Sequence, residues 1–395
     1  MLTEAAEVEH NLLCSYLYAA FSLKRDGEPG LSEAQAEAVE RWRKTIVKVA
    51  LEEMAHLACV NNLLIAVGGA PHFGRPNLPA APGYHPANVV VRLTPFDAAT
   101  LDHFIFLERA ETTPLPDGEG FEPVGPERPL LPDRITPSAH DYDTIGALYD
   151  SLAEGLLRLA GAMGEANLID PKGRGQLDSA MVNLPNIPRI TDLASATGTI
   201  EHIKEEGEGS TGGGESSHFE MFMSIKREWA ALATADPAFE PAWPAAHDPV
   251  MRKPEPGLAR VWVTSEPAAS YLDLGNALYA TMLQMLAQTF ASPDPSEQVV
   301  LMKASVEMME ACAAVATALA RLPASDEHPG VTAGLTFAVP RNLGLRPLPG
   351  RSLALFAERV EELRASARVT LTDTAAQKAA ARLGKALDLL NGGVA

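Results

Sequence analysis

Apolar residues recur at helical spacing near the start of the chain. Residues 4–24 contain many Ala, Leu and Tyr and no Pro or Gly, and residues 33–67 repeat apolar positions every three or four residues. This spacing predicts two helices joined by the polar turn KRDGEPG, the second beginning near Ser32 and ending at Gly68-Gly69. The pattern therefore predicts a helical hairpin at the start of the chain.

A second hairpin is predicted after a long connection, residues 70–188, that is rich in Pro and Gly. Its helices cover residues 189–206 and 215–233, on either side of the Gly-rich turn GEGSTGGG. Within the connection, the pattern predicts a short strand over residues 88–93 and helices over residues 97–108 and 141–164.

Residues 236–262 contain the Pro-rich run PAFEPAWPAAHDPVMRKPEPG and are predicted to link two domains. The first domain covers residues 1–235 and the second, smaller one residues 263–395. Helices are predicted in the second domain over residues 268–291, 294–321, 351–367 and 373–390. No segment alternates polar and apolar residues long enough for a sheet, so the fold class is all-α.

Two helical hairpins joined by one long crossover have the topology of a ferritin-like four-helix bundle. Such bundles hold two metal ions with one Glu from each of two helices and a Glu-x-x-His pair from each of the other two. Residues three apart lie on the same helix face, so the carboxylate and the imidazole of such a pair can reach the same ions.

The chain supplies these residue types in the required order. The first helix carries Glu9, the second Glu53 and His56, and the fourth begins with Glu215 and His218. Glu9 and Glu53 stand equally far from the first turn, so they lie at matching heights in an antiparallel hairpin. An unpaired carboxylate would be costly to bury in the apolar run VALEEMAHLACVNNLLIAV, and a bound cation would remove that cost.

The third helix offers Glu201, Glu205 and Glu208 on one face, and the sequence does not decide which of them binds. Glu205 is the first choice and Glu208 the second, whereas Glu201 is better explained as a solvated residue. His10 and His202 point away from their neighbouring glutamates and are predicted to be surface or supporting groups.

Tyr16 lies two turns from Glu9 on the same face, where it either lines a substrate pocket or packs in the core. Gly207, Gly209 and Gly212 spell GxGxxG, but a charged helix precedes them instead of a strand. We interpret them as a hairpin turn and not as a nucleotide loop.

Charge and cysteine content narrow the function further. The chain has 51 acidic and 32 basic residues and a net charge of -19, which disfavours nucleic acids and anionic membranes as partners. The start MLTEAAEVEHNLL lacks a basic signal region, and no apolar run approaches the roughly 18 residues of a membrane span, so we expect a cytoplasmic protein.

Three cysteines without a CxxC pair predict neither a disulfide framework nor a zinc knuckle, and Cys14 and Cys59 are expected in the core.

Several segments resemble the ferritin-like domain of the iminophenyl-pyruvate dimer synthase family, found in proteins that build violacein and rebeccamycin from tryptophan-derived imines. The similarity covers most of the chain and includes AAEVEHNLLCSYLYAAFSLK, VALEEMAHLACVNNLLIAVGGAP, FGRPNLP, TIGALY, ITDLASATGTIEHIKEEGEG, ESSHFEMF and VTAGLTFAVPRNL. By position, the resemblance implies metal ligands at Glu9, Glu53, His56, Glu205, Glu208 and His218.

Two departures from the family pattern bear on the pocket. Cys14-Ser15 stands where many members carry prolines, and Glu206 stands where Gln is common. The larger pigment-pathway enzymes also carry a long region linked to heme that we do not find here. No heme is therefore expected, and their dimerising reaction is not carried over.

The leading hypothesis is a non-heme diiron oxidase or oxygenase that uses dioxygen on a small amino-acid-derived or aromatic substrate in specialised metabolism. Manganese is the alternative metal, because mixed Glu and His ligands suit both. The substrate pocket is expected between the bundle and residues 70–137. One alternative is an iron-binding or ferroxidase protein without an organic substrate, and another is a metal-free helical scaffold. Self-association into a homo-oligomer is left open.

Overall fold

The computed structural model describes residues 1–80, 85–86, 89–110, 112–122, 142–207, 217–340, 343, 351–370 and 373–394. These residues form twelve α-helices and no β-strand, with isolated bridges between loops. The helices are α1 (Leu2–Ser22), α2 (Glu33–Ala66), α3 (Ala98–Leu107), α4 (Ile145–Met163), α5 (Glu165–Leu168), α6 (Ser179–Val182), α7 (Leu193–Gly207), α8 (His218–Ala235), α9 (Ala268–Ala291), α10 (Pro295–Leu319), α11 (Arg351–Thr370) and α12 (Thr374–Val394). The all-α prediction is confirmed for the described residues.

The first hairpin has the boundaries that its sequence predicts. Ser32 caps α2 through a capping box with Gln35, in which each side chain accepts a hydrogen bond from the other residue's backbone N–H. The helix ends at Ala66, and Gly68 follows with a φ of 80° that favours glycine. Because α1 and α2 run antiparallel with a short turn, their apolar faces are buried against each other.

The crossover contributes two helices to the bundle beyond the two hairpins. Helix α4 packs on α7, and α3 packs on α8. Polar residues of α2 hold the loops between them: the Asn62 side chain donates to the carbonyl oxygens of Leu177 and Pro188 and accepts from the Leu177 N–H. The crossover therefore surrounds the bundle and is fixed to it.

The strand predicted over residues 88–93 is not formed by the described part of that segment. Val89, Val91 and Leu93 are buried in alternation, as the apolar pattern indicates. Their neighbours are loops, however, so extended backbone finds no strand to pair with. Leu93 instead exchanges hydrogen bonds with Asp248, whose carboxylate accepts from the Leu93 N–H and whose N–H donates to the Leu93 carbonyl.

The C-terminal helices pack directly on α1. The Tyr279 hydroxyl of α9 contacts His10, lies 3.2 Å from Cys14 Sγ and lies 3.4 Å from Arg75 Nη2. Arg75 also donates to the Phe337 carbonyl oxygen at 2.6 Å. Buried side chains from both parts of the chain form one hydrophobic cluster. The division at residues 236–262 stays a prediction, and this cluster continues across it.

Helix α2 is long and apolar enough, by length and composition, to cross a membrane. It is the only such helix among the residues described above. In the structure, 78% of its apolar window is buried inside the protein, as expected of the central helix of a bundle.

Candidate metal centre

Three buried ionisable side chains from the first hairpin meet at one point. Glu9 of α1 faces Glu53 and His56 of α2, which lie one helical turn apart. His56 Nδ1 lies 3.1 Å from Glu53 Oε2 and 3.5 Å from Glu9 Oε2. One potential ligand atom from each residue lies within 4.8 Å of the others, so the three can share one ion. We call Glu9, Glu53 and His56 the His56 half-site.

A second group of three meets on the other side of Glu53. His218, the first residue of α8, has its Nδ1 2.9 Å from Glu53 Oε1 and 3.5 Å from Glu108 Oε2. Glu108 is the C-cap residue of α3 and is buried. One potential ligand atom from each again lies within 4.8 Å of the others. We call Glu53, Glu108 and His218 the His218 half-site.

Glu53 belongs to both half-sites and gives one carboxylate oxygen to each. Its Oε2 faces His56, and its Oε1 faces His218. The two imidazole rings have centroids 5.6 Å apart. This is the arrangement expected of a carboxylate that bridges two ions, each of which also binds one histidine.

Each histidine has a further carboxylate on its outer nitrogen. His56 Nε2 lies 2.9 Å from Glu206 Oε2, and His218 Nε2 lies 3.3 Å from Glu52 Oε2. Histidines that bind metal through one ring nitrogen commonly donate the other N–H to a carboxylate, which fixes the tautomer and the ring orientation. For His56 the geometry therefore leaves Nδ1 for an ion and gives Nε2 to Glu206. For His218, Nδ1 faces the inner carboxylates, and Nε2 lies near Glu52 without a hydrogen bond.

The pKa values of the site show how strongly its charges interact. Burial, and then the Glu53 carboxylate, raise the pKa of Glu9 to about 8. Burial alone would raise the pKa of Glu53, but His56 and His218 hold it well below its usual range. Burial alone would lower the pKa of both histidines, but Glu53 raises it well above the usual value. Protons thus balance the negative charge that two divalent cations would otherwise balance.

Several buried polar atoms of the site lack a hydrogen-bond partner among the described residues. They include Glu9 Oε2, Glu52 Oε2 and both ring nitrogens of His218, although carboxylate oxygens lie near that ring. Buried polar groups are normally paired, and unpaired ones are costly. Cations among these atoms would satisfy the inner ones, so the residues fit a metal pair.

Two buried tyrosines donate hydrogen bonds to carboxylates of the site. The Tyr149 hydroxyl of α4 donates to Glu9 Oε1, and the Tyr16 hydroxyl of α1 donates to Glu108 Oε1. Burial, followed by the nearby carboxylates, raises the pKa of both tyrosines well above 10. Both phenols therefore keep the proton that they donate.

A pocket that opens to solvent lies beside the half-sites. Its walls include Glu9, Glu53, His56 and Glu108 together with the apolar and mixed side chains Leu12, Leu107, Ile145, Tyr149, Ile203 and Lys204. The pocket was expected beside residues 70–137. Leu107 and Glu108 come from that range, whereas Ile145 and Tyr149 come from α4, which follows it.

The structure brings together Glu9, Glu53, His56 and His218, which are four of the five ligands predicted on the first, second and fourth helices. Glu205, the first choice on the third helix, is exposed, as is Glu201. Successive helical residues point about 100° apart, and this rotation turns Glu206 toward His56 in place of Glu205. Glu205 thus lies on the surface in this structure, and its role as a ligand stays a prediction.

Other predicted residues have mixed outcomes. Glu208 and Glu215 lie outside the described residues, as do Gly209 and Gly212 of the predicted turn. His10 is buried against Tyr279 and not on the surface, and His202 lies 3.3 Å from Glu206 Oε1. Tyr16 is fully buried, is not among the residues that line the described pocket, and donates a hydrogen bond to Glu108. Cys14 and Cys59 are buried, as predicted.

Sequence reasoning missed Glu52, Glu108 and Glu206 as members of the site. Glu108 had a usable signal, because it ends the apolar run FIFLE and an unpaired buried carboxylate is costly there. Glu206 was noticed only as a departure from a family pattern. Glu52 had no separate signal beside Glu53.

The fold and the site define a helical-bundle protein whose core holds two histidine and carboxylate half-sites that share one glutamate. The chain belongs to the Ferritin-like family, whose family model matches residues 2–227.

Two curated relatives confirm the resemblance seen in the sequence. Dichlorochromopyrrolate synthase of Lentzea aerocolonigenes is 27% identical over 408 residues, covering 93% of this chain and 38% of that protein. The 2-imino-3-(indol-3-yl)propanoate dimerase of Chromobacterium violaceum is 28% identical over 316 residues, covering 73% of this chain and 28% of that protein. The chain thus spans less than two fifths of the length of these relatives.

Among solved structures, a ferritin like protein from Caulobacter vibrioides aligns with a TM-score of 0.48 and 19% identity. The alignment covers 76% of this chain and 92% of that one.

Proposed function

We propose that this protein is a dimetal oxidase or oxygenase, with diiron as the first choice, that acts on a small amino-acid-derived or aromatic substrate in specialised metabolism. The observation that carries the proposal is Glu53, which gives one oxygen to each of two histidine half-sites beside a pocket. A purely structural ion pair would not need two histidines on opposite oxygens of one buried carboxylate.

The ligand types support the choice of metal. Carboxylates and imidazoles without thiolates suit iron or manganese better than copper(I). Glu9, Glu53 and His56 would hold one ion, and Glu53, Glu108 and His218 the other. When bound, the ion pair would supply the redox chemistry with dioxygen. Glu206 and Glu52 would orient the two histidines, and the buried helices would screen the ions from bulk water.

The names of the relatives support the substrate class. One relative is named for a 2-imino-3-(indol-3-yl)propanoate, which is an aromatic imino acid with a carboxylate, and the other for a dichlorochromopyrrolate. We propose an aromatic 2-imino acid as substrate here. The dimerising reaction itself is left out of the proposal, because the chain spans only part of these relatives.

The pocket is compatible with such a substrate. Leu12, Leu107, Ile145 and Ile203 offer apolar walls for an aromatic ring. Lys204 also lines the pocket and pairs with Asp150 at 2.6 Å and Glu201 at 3.8 Å. Asp150 and Glu201 are exposed, and exposed ion pairs contribute little. We propose that a substrate carboxylate binds beside the Lys204 ammonium group.

The test uses protein loaded with ferrous iron without oxygen and then mixed with aerated buffer. The substrate is supplied as an aromatic 2-oxo acid with ammonium, which form the imine at equilibrium. We expect about two iron ions per chain, the number that the two half-sites hold, and oxygen consumption that depends on the imine. Products are identified by mass spectrometry, and Glu53→Ala serves as the inactive control.

Two results would contradict the proposal. Rapid oxygen consumption with iron alone, unchanged by the imine, would favour an iron-binding ferroxidase. Less than about 0.2 metal per chain after iron-supplemented expression would favour a metal-free scaffold, since two half-sites call for about two.

We also propose a cytoplasmic location and no binding to nucleic acids or anionic membranes, on the basis of the net charge of -19. Light scattering of the purified protein measures whether it forms a homo-oligomer.

A further inference from the structure

The two tyrosine hydrogen bonds occupy equivalent positions in the two half-sites. Tyr149 donates to Glu9, the non-bridging carboxylate of the His56 half-site. Tyr16 donates to Glu108, the non-bridging carboxylate of the His218 half-site. The two tyrosines come from different helices, so the match does not follow from helical spacing.

Each phenol occupies one oxygen of its carboxylate and leaves the other facing the histidine. Glu9 uses Oε1 for Tyr149, and its Oε2 has no hydrogen-bond partner and lies 3.5 Å from His56 Nδ1. Glu108 uses Oε1 for Tyr16, and its Oε2 lies 3.5 Å from His218 Nδ1. An ion in either half-site would therefore meet one oxygen of the non-bridging carboxylate.

Packing holds both phenols in place. The Tyr16 ring packs against Phe104 and Phe222, with ring centroids 4.6 and 5.2 Å away. Tyr149 is almost fully buried beside the pocket. A carboxylate can bind an ion with one oxygen or with two, and a fixed donor on one oxygen selects the first mode.

We propose that Tyr149 and Tyr16 are positioning residues that hold Glu9 and Glu108 as one-oxygen ligands and so keep a coordination position open on each ion. The inference rests on the proposed function, because it requires ions in both half-sites. Catalytic metal sites keep such a position for a substrate or an external ligand. Glu9 and Glu108 both line the pocket, so the open positions would be reached from it.

The test uses cobalt(II) as the probe metal and compares Tyr149→Phe, Tyr16→Phe and the double variant with the wild type. Tyr18→Phe is the matched control, because Tyr18 is a buried tyrosine of α1 whose hydroxyl donates to the Ala246 carbonyl oxygen and not to a carboxylate. Bound cobalt is counted by elemental analysis. Visible d–d absorption reports the coordination number, and azide titration reports open positions.

We expect the wild type and Tyr18→Phe to show intense absorption typical of fewer than six ligands and to bind azide. In Tyr149→Phe and Tyr16→Phe the freed oxygen chelates the ion, so absorption weakens for one ion and azide affinity at that ion falls at least about tenfold. The double variant loses both. Melting curves check that each variant folds, and if Tyr16→Phe does not fold, Tyr149→Phe decides the question alone.

The inference is overturned if Tyr149→Phe binds cobalt and azide as Tyr18→Phe does, with an unchanged spectrum. A wild type that binds no cobalt at all gives a different result, since it rejects the proposed metal centre and the inference with it.

Discussion

The two half-sites are built from different kinds of chain segment. In the His56 half-site, all three residues lie inside α1 and α2, the two long helices of one hairpin. In the His218 half-site, Glu108 is the C-cap residue of α3 and His218 is the first residue of α8. Residues inside paired helices have heights that helical rise determines, whereas residues at helix ends depend on the path of the preceding loop. Helical periodicity therefore determines the positions of the residues in the His56 half-site, whereas the path of the crossover determines those of Glu108 and His218.

Removal of the shared glutamate is expected to have the largest effect. Glu53→Ala takes one oxygen from each half-site, so we expect bound iron to fall from about two per chain to near zero. Elemental analysis after anaerobic loading measures this. Glu205→Ala is the control, because Glu205 is an exposed glutamate on a helix of the same bundle. If Glu53→Ala retained one ion, Glu53 would belong to a single half-site.

The two histidines are expected to have equal and separable effects. His56→Ala and His218→Ala should each retain about one ion per chain, held by the half-site that keeps its histidine. Manganese(II) loading distinguishes the cases, because a neighbouring pair gives an exchange-coupled electron paramagnetic resonance spectrum and a single ion does not. Loss of both ions in only one of the variants would show that the half-sites fill in a fixed order.

The structure places Glu108 at the site, whereas the sequence predicted Glu205 as a ligand, so variants of these two residues test which assignment is right. Glu108→Gln removes a buried charge that faces His218 and should weaken binding of one ion, whereas Glu205→Gln should leave both affinities unchanged. Competition with a metal chelator measures the two affinities. The reverse result would restore Glu205 as the ligand and make Glu108 a structural residue.

The outer carboxylates should have smaller effects, because their loss leaves every ligand atom in place. Glu206→Gln and Glu52→Gln are each expected to weaken metal binding by about 10 to 100-fold at the histidine that they contact. Gln conserves the shape and removes the charge. Equal metal affinity in the variants and the wild type would mean that packing alone orients the two rings.

The smallest expected effect is on the pH dependence of stability in the metal-free protein. Burial and the Glu53 carboxylate raise the pKa of Glu9 to about 8. Burial alone would lower the pKa of both histidines, but the nearby carboxylates, Glu53 first, raise it well above 6.5. Above about pH 6.5 the folded state thus holds more protons than the unfolded chain, so stability falls as pH rises. Glu53 is ionised in both states over this range and adds no slope.

Melting temperatures between about pH 6.5 and 8.5, measured with and without metal, check this expectation. The metal-free protein should melt several degrees lower at the upper end, and the loaded protein should change less, because bound cations replace the protons. A melting temperature that rises with pH in the absence of metal would contradict the charge distribution of the site.

Much of the fold was predictable, because it depends on local signals. The capping box at Ser32 and the long apolar faces of α1 and α2 depend on residues that are close together in the sequence. The position of Glu206 was not predictable, since a rotation of one residue in α7 exchanges it with Glu205 and the sequence does not fix where that helix begins. Tyr149 was missed for another reason, because its hydroxyl meets Glu9 only where α4 packs against α1, and the sequence does not show that contact.

The far face of α1 connects the C-terminal helices to the candidate metal centre. One side of this helix carries Glu9, while His10 and Cys14 on the other side contact the Tyr279 hydroxyl of α9. A shift of α9 along its axis would therefore draw α1 with it and change how deeply Glu9 reaches toward His56. Tyr279 is 269 positions from His10 along the chain, so the packing of a distant helix helps to determine the position of the helix that carries Glu9.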